Sequence, residues 1–205
     1  MKKFDSIIDL ENINYLCGGL DKKDNRDYCK CISVEKHPDD KIICVSTNGR
    51  SLHTITFDTK TTPLEAGYYS VVSNTKKLIV LDDFKMDSYP KWKRIYDDAD
   101  KNNIKIGSYH LYHTEMKHNF YDLIGVLYKL GYQLNPKFID PLVPLNLKWD
   151  IFVNPVHKKQ AVKFESGKYS ALIMPYYDES KENFEASAIE VLNEALKEKE
   201  INDEK

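Results

Sequence analysis

Apolar residues recur along this chain first at helical spacing, then at strand spacing, and then in the same order again. Ile13, Leu16, Cys17 and Leu20 fall at i, i+3, i+4 and i+7, which predicts a helix from about Asp9 to Leu20 with a single apolar stripe. Asp9 is its expected N-cap, and Gly18-Gly19 would supply a left-handed exit. A polar loop follows at Asp21 to Asp27. Three runs rich in β-branched and aromatic residues come next: Tyr28 to Glu35, Ile42 to Thr47 and Leu52 to Phe57. His37-Pro38-Asp39-Asp40 separates the first two. Asn48-Gly49 separates the last two and marks a hairpin, since both residues tolerate the positive φ of a type I′ turn. Further strands are expected at Tyr68 to Val72 and Leu78 to Leu81, before Tyr89-Pro90 breaks the pattern.

After a polar linker, Asp97 to Asn103, the order begins again. Ile104 and Ile106 suggest a short strand. Phe120, Leu123, Ile124, Leu127 and Leu130 form a second helical stripe, with Gly131 placed to cap it. A connector containing Pro136, Pro141 and Pro144 leads to three strand-like runs: Trp149 to Val153, Ala161 to Glu165 and Tyr169 to Tyr176. The halves form a pseudo-repeat of strand–helix–strands without residue-level identity. Phe184, Ala188, Val191, Leu192 and Ala195 make a modest last stripe, and Lys197 to Lys205 is almost wholly charged. The division expected is a domain over residues 1–177, followed by a C-terminal helix and charged tail over 178–205.

Composition narrows the class. Hydrophobic residues make up 41% and charged residues 30% of the 205, a globular balance, and the net charge of −2 does not indicate a basic nucleic-acid-binding face. A protein that encloses DNA topologically needs little phosphate affinity, so the total does not exclude one. No apolar run approaches the ~20 residues that span a bilayer. Acidic residues interrupt the basic start, so a cytoplasmic protein with reduced thiols is expected. A zinc site can be drawn from Cys29, Cys31, His37 and Cys44, but their spacing is not that of a Cys-x-x-Cys knuckle, and buried free cysteines are common. His110, His113, Glu115 and His118 form a second polar cluster without the His-Glu-x-x-His spacing. There is no P-loop, no Gly-x-Ser-x-Gly elbow and no dinucleotide fingerprint, so neither catalysis nor a cofactor is expected.

Three separated segments resemble one family. Arg26 to Glu35 followed by Ile42-Ile-Cys-Val-Ser-Thr-Asn-Gly-Arg-Ser-Leu52 is similar to a strand and hairpin of the bacterial DNA sliding clamps, the β subunits of DNA polymerase III. Tyr89-Pro-Lys-Trp-Lys-Arg-Ile95 resembles that family's Phe-Pro-Asp-Tyr-Arg-Arg-Val segment. Tyr169-Ser-Ala-Leu-Ile-Met-Pro-Tyr176 resembles its closing strand, which ends Met-Pro-Met. With the two helices, the resemblance covers roughly residues 4–177. It departs from the family at Asn48 for Asp, Arg50-Ser51 for His-Arg and Tyr176 for Met. The Tyr-Pro segment also precedes the second helix, and one domain stands where the family has several.

The resemblance implies an α+β, DNA-clamp-like domain of two strand–helix–strand units with mainly antiparallel sheets, plus the C-terminal helix. It implies a DNA-replication or repair accessory protein that is not an enzyme. Its partners would be DNA and replication proteins carrying a short hydrophobic clamp-binding peptide. A closed ring would require a larger homo-oligomer than the family's dimer. Carried across by matching position, the peptide pocket would involve Thr47, Gly49, Arg50, Leu52, Pro90, Arg94, Ile95, Met174 and Pro175. Lys23 matches a DNA-touching position, and Lys22 and Arg26 flank it. Two other readings stand beside this one. The first is a monomeric adaptor or decoy that binds replication proteins without encircling DNA. The second is an unrelated small metal- or ligand-binding domain. The plain structural roles stay open too: Asn48-Gly49 is a turn in any protein, Pro90 and Trp92 can close a core edge, and Lys22, Lys23, Arg26 and Lys30 alternate with aspartates as in a solvated loop.

Overall fold

The fold, obtained as a computed structural model, describes residues 10–60, 64–75, 78–111 and 118–176. Helix α1 spans Leu10–Gly18. Strands β1 (Ile32–His37), β2 (Lys41–Thr47), β3 (Ser51–Asp58), β4 (Gly67–Thr75) and β5 (Leu78–Asp83) follow. Helix α2 (Trp92–Asn102), strand β6 (Ile104–Leu111), helix α3 (His118–Lys129) and the short helix α4 (Pro136–Ile139) lead to β7 (Leu147–Val153), β8 (Val162–Ser166) and β9 (Tyr169–Ile173). Among the described residues the strands form one nine-stranded sheet in the order β5-β4-β1-β2-β3-β9-β8-β7-β6, and every pairing is antiparallel. The two halves of the chain therefore meet at one seam, where Leu52 pairs with Leu172 and Ile55 with Tyr169.

Strand alternation gives this sheet two apolar faces. On the inner face, Ile42 and Cys44 of β2, Ile55 and Phe57 of β3, Ala171 and Ile173 of β9 and Trp149, Ile151 and Val153 of β7 join a core closed by the helices. Ile13 and Leu16 of α1 and Leu123 and Leu127 of α3 supply the cover, at the spacing their stripes predict. Three hydrogen bonds pin α1 over the seam. The Tyr15 hydroxyl donates to the Ser170 carbonyl at 2.6 Å, the Tyr169 hydroxyl to Asn12 Oδ1 at 2.6 Å, and the Ser46 hydroxyl to the Leu16 carbonyl at 2.6 Å. Helix α3 ends as Gly131 predicts. Its φ is +87°, its N–H donates to the Tyr128 carbonyl at 2.9 Å, and the Tyr132 N–H reaches back to the Leu127 carbonyl at 2.7 Å, a Schellman closure.

Several expectations require correction. Tyr28 to Lys30 are not strand but part of a 3-10 turn, Asp27–Lys30, and β1 begins at Ile32. The polar stretch from Asp97 is not a linker; through Asn102 it belongs to α2. The Pro-rich connector is helical, α4 running into a 3-10 turn at Asp140–Leu145. The β2–β3 turn is not type I′, since only Gly49 of the pair takes positive φ, at +80°. The side chain of Asn48 builds the turn instead, its Oδ1 accepting from the N–H groups of Arg50 at 2.9 Å and Ser51 at 2.8 Å. Gly18 and Gly19 do not take left-handed φ either. They serve close approach: a Cβ on Gly18 would lie 2.3 Å from the Pro141 side chain, and one on Gly19 2.4 Å from Ser46 Oγ and 2.9 Å from the Ser46 carbonyl oxygen. The expected C-terminal helix and the 177/178 boundary lie outside the described residues.

These contacts make Gly19→Ala a test of sign. The lower entropy of the unfolded chain alone would make it neutral or stabilising, whereas the clash with the β2 backbone makes it destabilising by about 1–3 kcal/mol in denaturant unfolding. A second expectation concerns His53, fully buried in β3 with its ring 4.8 Å from that of Tyr15. Burial holds its pKa down at about 4. The unfolded imidazole titrates near ~6.5, so above that pH both states are neutral and the residue has no effect. As pH falls from there to about 4, the unfolded state takes up the proton first, and stability drops by about 3 kcal/mol. In His53→Leu this portion of the acid dependence should vanish from unfolding curves measured across the same window.

Candidate peptide-docking surface

The outer face of the sheet is covered near the seam by α2. Trp92, Tyr96 and Ala99 stand at i, i+4 and i+7, and Trp92 and Ala99 pack with Val45, Leu52, Ala161 and Leu172 into a second apolar cluster, with Tyr96 against it. Polar contacts fix the helix at both ends. The Trp92 indole N–H donates to Glu35 Oε1 at 2.7 Å, and Lys93 pairs with Glu35 at 3.3 Å. The Tyr96 hydroxyl donates to Ser170 Oγ at 3.0 Å, and Asn103 Nδ2 donates to the Ala161 carbonyl at 3.0 Å.

Lys163 of β8 lies buried beneath this helix. It pairs with Asp100 and, at 3.2 Å, with Glu165, between the rings of Tyr96 (4.7 Å) and Phe152 (5.4 Å). Burial works against its charge, but the bond to Asp100 and the charges of Tyr96 and Glu165 outweigh it, so its pKa is raised.

The row of strand residues under α2 continues to the ends of the strands as buried side chains. Thr47 pairs with Leu52, and Leu52 with Leu172, so the three line one row across β2, β3 and β9. Met174 follows Leu172 on the same face and is 39% exposed; its N–H donates to the Arg50 carbonyl at 2.8 Å. Ile95, one helical turn before Ala99, is 52% exposed. The β2–β3 turn closes the end of the row. Thr47 Oγ1 donates to the Ser51 carbonyl at 2.7 Å and accepts from the Gly49 N–H at 3.1 Å. The Arg50 guanidinium lies 5.8 Å from the ring centre of Tyr176.

Of the residues carried over as a peptide site, Thr47, Gly49, Arg50, Leu52, Met174 and Pro175 therefore gather at the ends of β2, β3 and β9. Ile95 shares the α2 flank of Ala99. Pro90 and Arg94 line a different feature, an open groove of about 560 Å³ shared with Glu35, Trp92, Asp98 and Lys101. Leu172, Ala161, Tyr96 and Lys163 were not among the sequence candidates. The 92/96/99 spacing is the signal that would have found the helix they hold.

The expected DNA contacts sit in the exposed loop after α1. Arg26 is engaged there: it makes two bonds to Asp24, at 2.9 and 2.7 Å, and one to the Asn48 carbonyl at 3.0 Å. Its guanidinium holds the Asp24 carboxyl well below the usual carboxylate range. Lys22 donates to the Val71 carbonyl at 2.9 Å, and Lys23 is exposed. Of the first metal candidates, Cys31 and Cys44 are buried, and burial pushes their thiols up to about 11 and about 12. Among the described residues no group of three His, Cys, Asp or Glu could hold a metal ion. His113 and Glu115 lie outside them.

No protein-family model matches the chain, and no curated protein matches it by sequence. Solved structures match it in shape. A DNA polymerase III beta subunit from Eubacterium rectale superposes with a TM-score of 0.57 at 12% identity, over 85% of this chain and 64% of that one. A DNA polymerase sliding clamp from Pseudomonas aeruginosa, solved with a ligand, gives 0.54 at 8% identity, over 87% and 68%. The DNA polymerase III beta chain from Streptococcus pneumoniae gives 0.54 at 10%, over 87% and 66%. The chain thus spans less than two thirds of the Eubacterium rectale protein's length. The class these findings define is an antiparallel α+β domain backed by helices. Its particular fold is that of the DNA sliding clamps, the DNA polymerase III β subunits, as the sequence resemblance implied. Among the described residues no helix is long and apolar enough to cross a membrane.

The anchoring of α2 is open to direct measurement. Lys163→Ala should lower stability by about 1–3 kcal/mol, because it removes charged hydrogen bonds and the amine between two rings. Amide exchange should quicken chiefly in residues 92–102. Exchange that quickened uniformly over the sheet would show that Lys163 does not act through α2.

Proposed function

We propose that this protein is a non-catalytic accessory factor of DNA replication or repair, which captures replication proteins through a short hydrophobic peptide laid beside α2. The observation that carries this reading is the row at the seam. Leu52 and Leu172 form a buried, rigid floor, while Met174 and Ile95 beside it remain 39% and 52% exposed. A fixed apolar floor with a few placed polar groups, here Thr47, the Gly49 turn and Arg50, suits an extended peptide anchored by one or two side chains. The sliding-clamp fold supports a replication role. In this reading Lys22, Lys23 and Arg26 provide the contact with DNA, and copies of the chain associate through the strands at the two ends of the described sheet, β5 and β6.

One observation favours the adaptor form. The charge of Arg26 is already matched by Asp24, and Lys22 is held by a backbone carbonyl, so the loop offers little to a phosphate backbone. A protein of this form binds replication proteins without encircling DNA. Light scattering with and without circular DNA separates the two: a closed oligomer retained on the circle supports the ring, and a monomer indifferent to DNA supports the adaptor.

Either form makes the same claim about the groove. A fluorescent clamp-binding peptide should bind the full chain with Kd on the order of micromolar, equivalent to about −8 kcal/mol. Ile95→Asp and Met174→Asp should each weaken it at least about tenfold, or ~1.4 kcal/mol, while Lys23→Glu leaves it unchanged. If wild-type protein ignores the peptide, or both groove variants bind as it does, the reading fails.

A further inference from the structure

The loop after α1 meets the β2–β3 turn through one side chain. Arg26 uses four of its five N–H groups there. Nε and Nη2 donate to the Asp24 carboxylate at 2.9 and 2.7 Å, Nη1 to the Tyr28 hydroxyl at 2.8 Å, and Nη2 to the Asn48 carbonyl at 3.0 Å. The guanidinium also lies 5.2 Å from the Tyr28 ring centre. Asp24 fixes the loop side of this arrangement, since its Oδ1 accepts from the Arg26 backbone N–H at 2.8 Å as well. The turn side has room because residue 49 is glycine. A Cβ there would lie 2.6 Å from Arg26 Nη1 and 2.8 Å from Nη2, and the residue takes a φ of +80°. The β8–β9 turn is a contrast: a Cβ on its Gly167 would meet nothing within 4 Å.

From Arg26 the contacts run two ways, each toward residues assigned above to the peptide. In one direction, Asn48 Oδ1 accepts from the N–H groups of Arg50 and Ser51, and the Arg50 carbonyl accepts from the Met174 N–H at 2.8 Å. In the other, the Tyr28 ring meets that of Tyr89 edge-on, with centroids 6.3 Å apart. The Tyr89 hydroxyl donates to the Val45 carbonyl at 3.4 Å, and Trp92, the first residue of α2, follows three residues later. Val45 and Trp92 both belong to the outer apolar cluster. The turn carrying Thr47, Gly49 and Arg50 is thus braced from outside its own hairpin. A turn held in place before a ligand arrives spares the ligand the entropy of ordering it.

We propose that Arg26 is a positioning residue of the peptide surface: its guanidinium fixes the β2–β3 turn, and through it Arg50 and Met174, in the arrangement that receives the peptide. Its hydrogen bonds are thereby committed to the protein itself and not to a phosphate backbone. The inference rests on the peptide reading of this surface. It agrees with the adaptor form and reassigns Arg26 in the ring form, leaving the exposed Lys23 without a part in it.

The test compares the full wild-type chain with Arg26→Lys and Tyr28→Phe, using a fluorescent clamp-binding peptide and amide hydrogen exchange. Lysine keeps the charge but cannot make the forked contact, and phenylalanine keeps the ring but removes the acceptor of Nη1. Peptide affinity should fall about fivefold or more in Arg26→Lys and about twofold in Tyr28→Phe. Exchange at the Arg50 and Ser51 amides should quicken in both variants, while the β8–β9 turn exchanges as in wild type. The wild-type Arg26 Nε–H resonance should stay unshifted when a DNA duplex is added. Three results would overturn the proposal: Arg26→Lys binding peptide as wild type does, exchange that quickens uniformly over the sheet, or a duplex that shifts the Nε–H resonance. Wild-type protein that ignores the peptide brings down the proposed function, and this inference with it. Wild-type binding that Arg26→Lys leaves unaltered brings down this inference alone.

Discussion

The pairing of β3 with β9 is the constraint on which the rest of the structure depends. It joins two strand groups, distant in sequence, into one sheet, so the strands at the seam have neighbours on both edges and apolar residues on both faces. A strand buried on both sides needs two covers. On the inner face α1 provides one, held by the bonds of Tyr15 to Ser170 and Ser46 to Leu16. On the outer face α2 provides the other, with Trp92 and Ala99 packed on Val45, Leu52, Ala161 and Leu172. The row Thr47–Leu52–Leu172 is therefore covered from the α2 side, and Met174 beyond it stays part-exposed.

Much of this was legible in the chain. The stripes of α1 and α3 and the Gly131 closure follow directly from spacing, and so do most strands. The ends of elements were harder, because aromatic residues near a strand serve equally well in a 3-10 turn, as Tyr28 does. Helix α2 escaped because only Trp92, Tyr96 and Ala99 face inward, while Asp97, Asp98, Asp100 and Lys101 make its sequence look like solvent-exposed linker. No local pattern could disclose the partners of its polar anchors. Lys163 is distant in sequence from Asp100, and Glu35 from Trp92, so both contacts exist only once the sheet has closed. The same holds for the site. Position-by-position resemblance brought together six residues at the strand ends, yet Pro90 and Arg94 line a separate charged groove.

The two faces also divide the chemistry. At α2 the outer face carries a buried apolar cluster with Met174 and Ile95 exposed near it, the surface that the proposed function assigns to a peptide. At the end of α3, by contrast, Lys129, Lys137, His157 and Lys159 are exposed. A net charge of −2 over the whole chain conceals this separation, because the acids concentrate after residue 176. The loop after α1, the first place to look for DNA contacts by sequence, largely neutralises itself through Asp24 and Arg26.

The most direct test of the central claim is a map of backbone amide shifts in the full chain, titrated with an unlabelled clamp-binding peptide. The account predicts perturbations concentrated at Thr47 to Leu52, Leu172 to Tyr176 and the Ile95–Ala99 flank of α2, with the rest of the sheet quiet. Saturating shifts clustered elsewhere, or none at millimolar peptide, would contradict it.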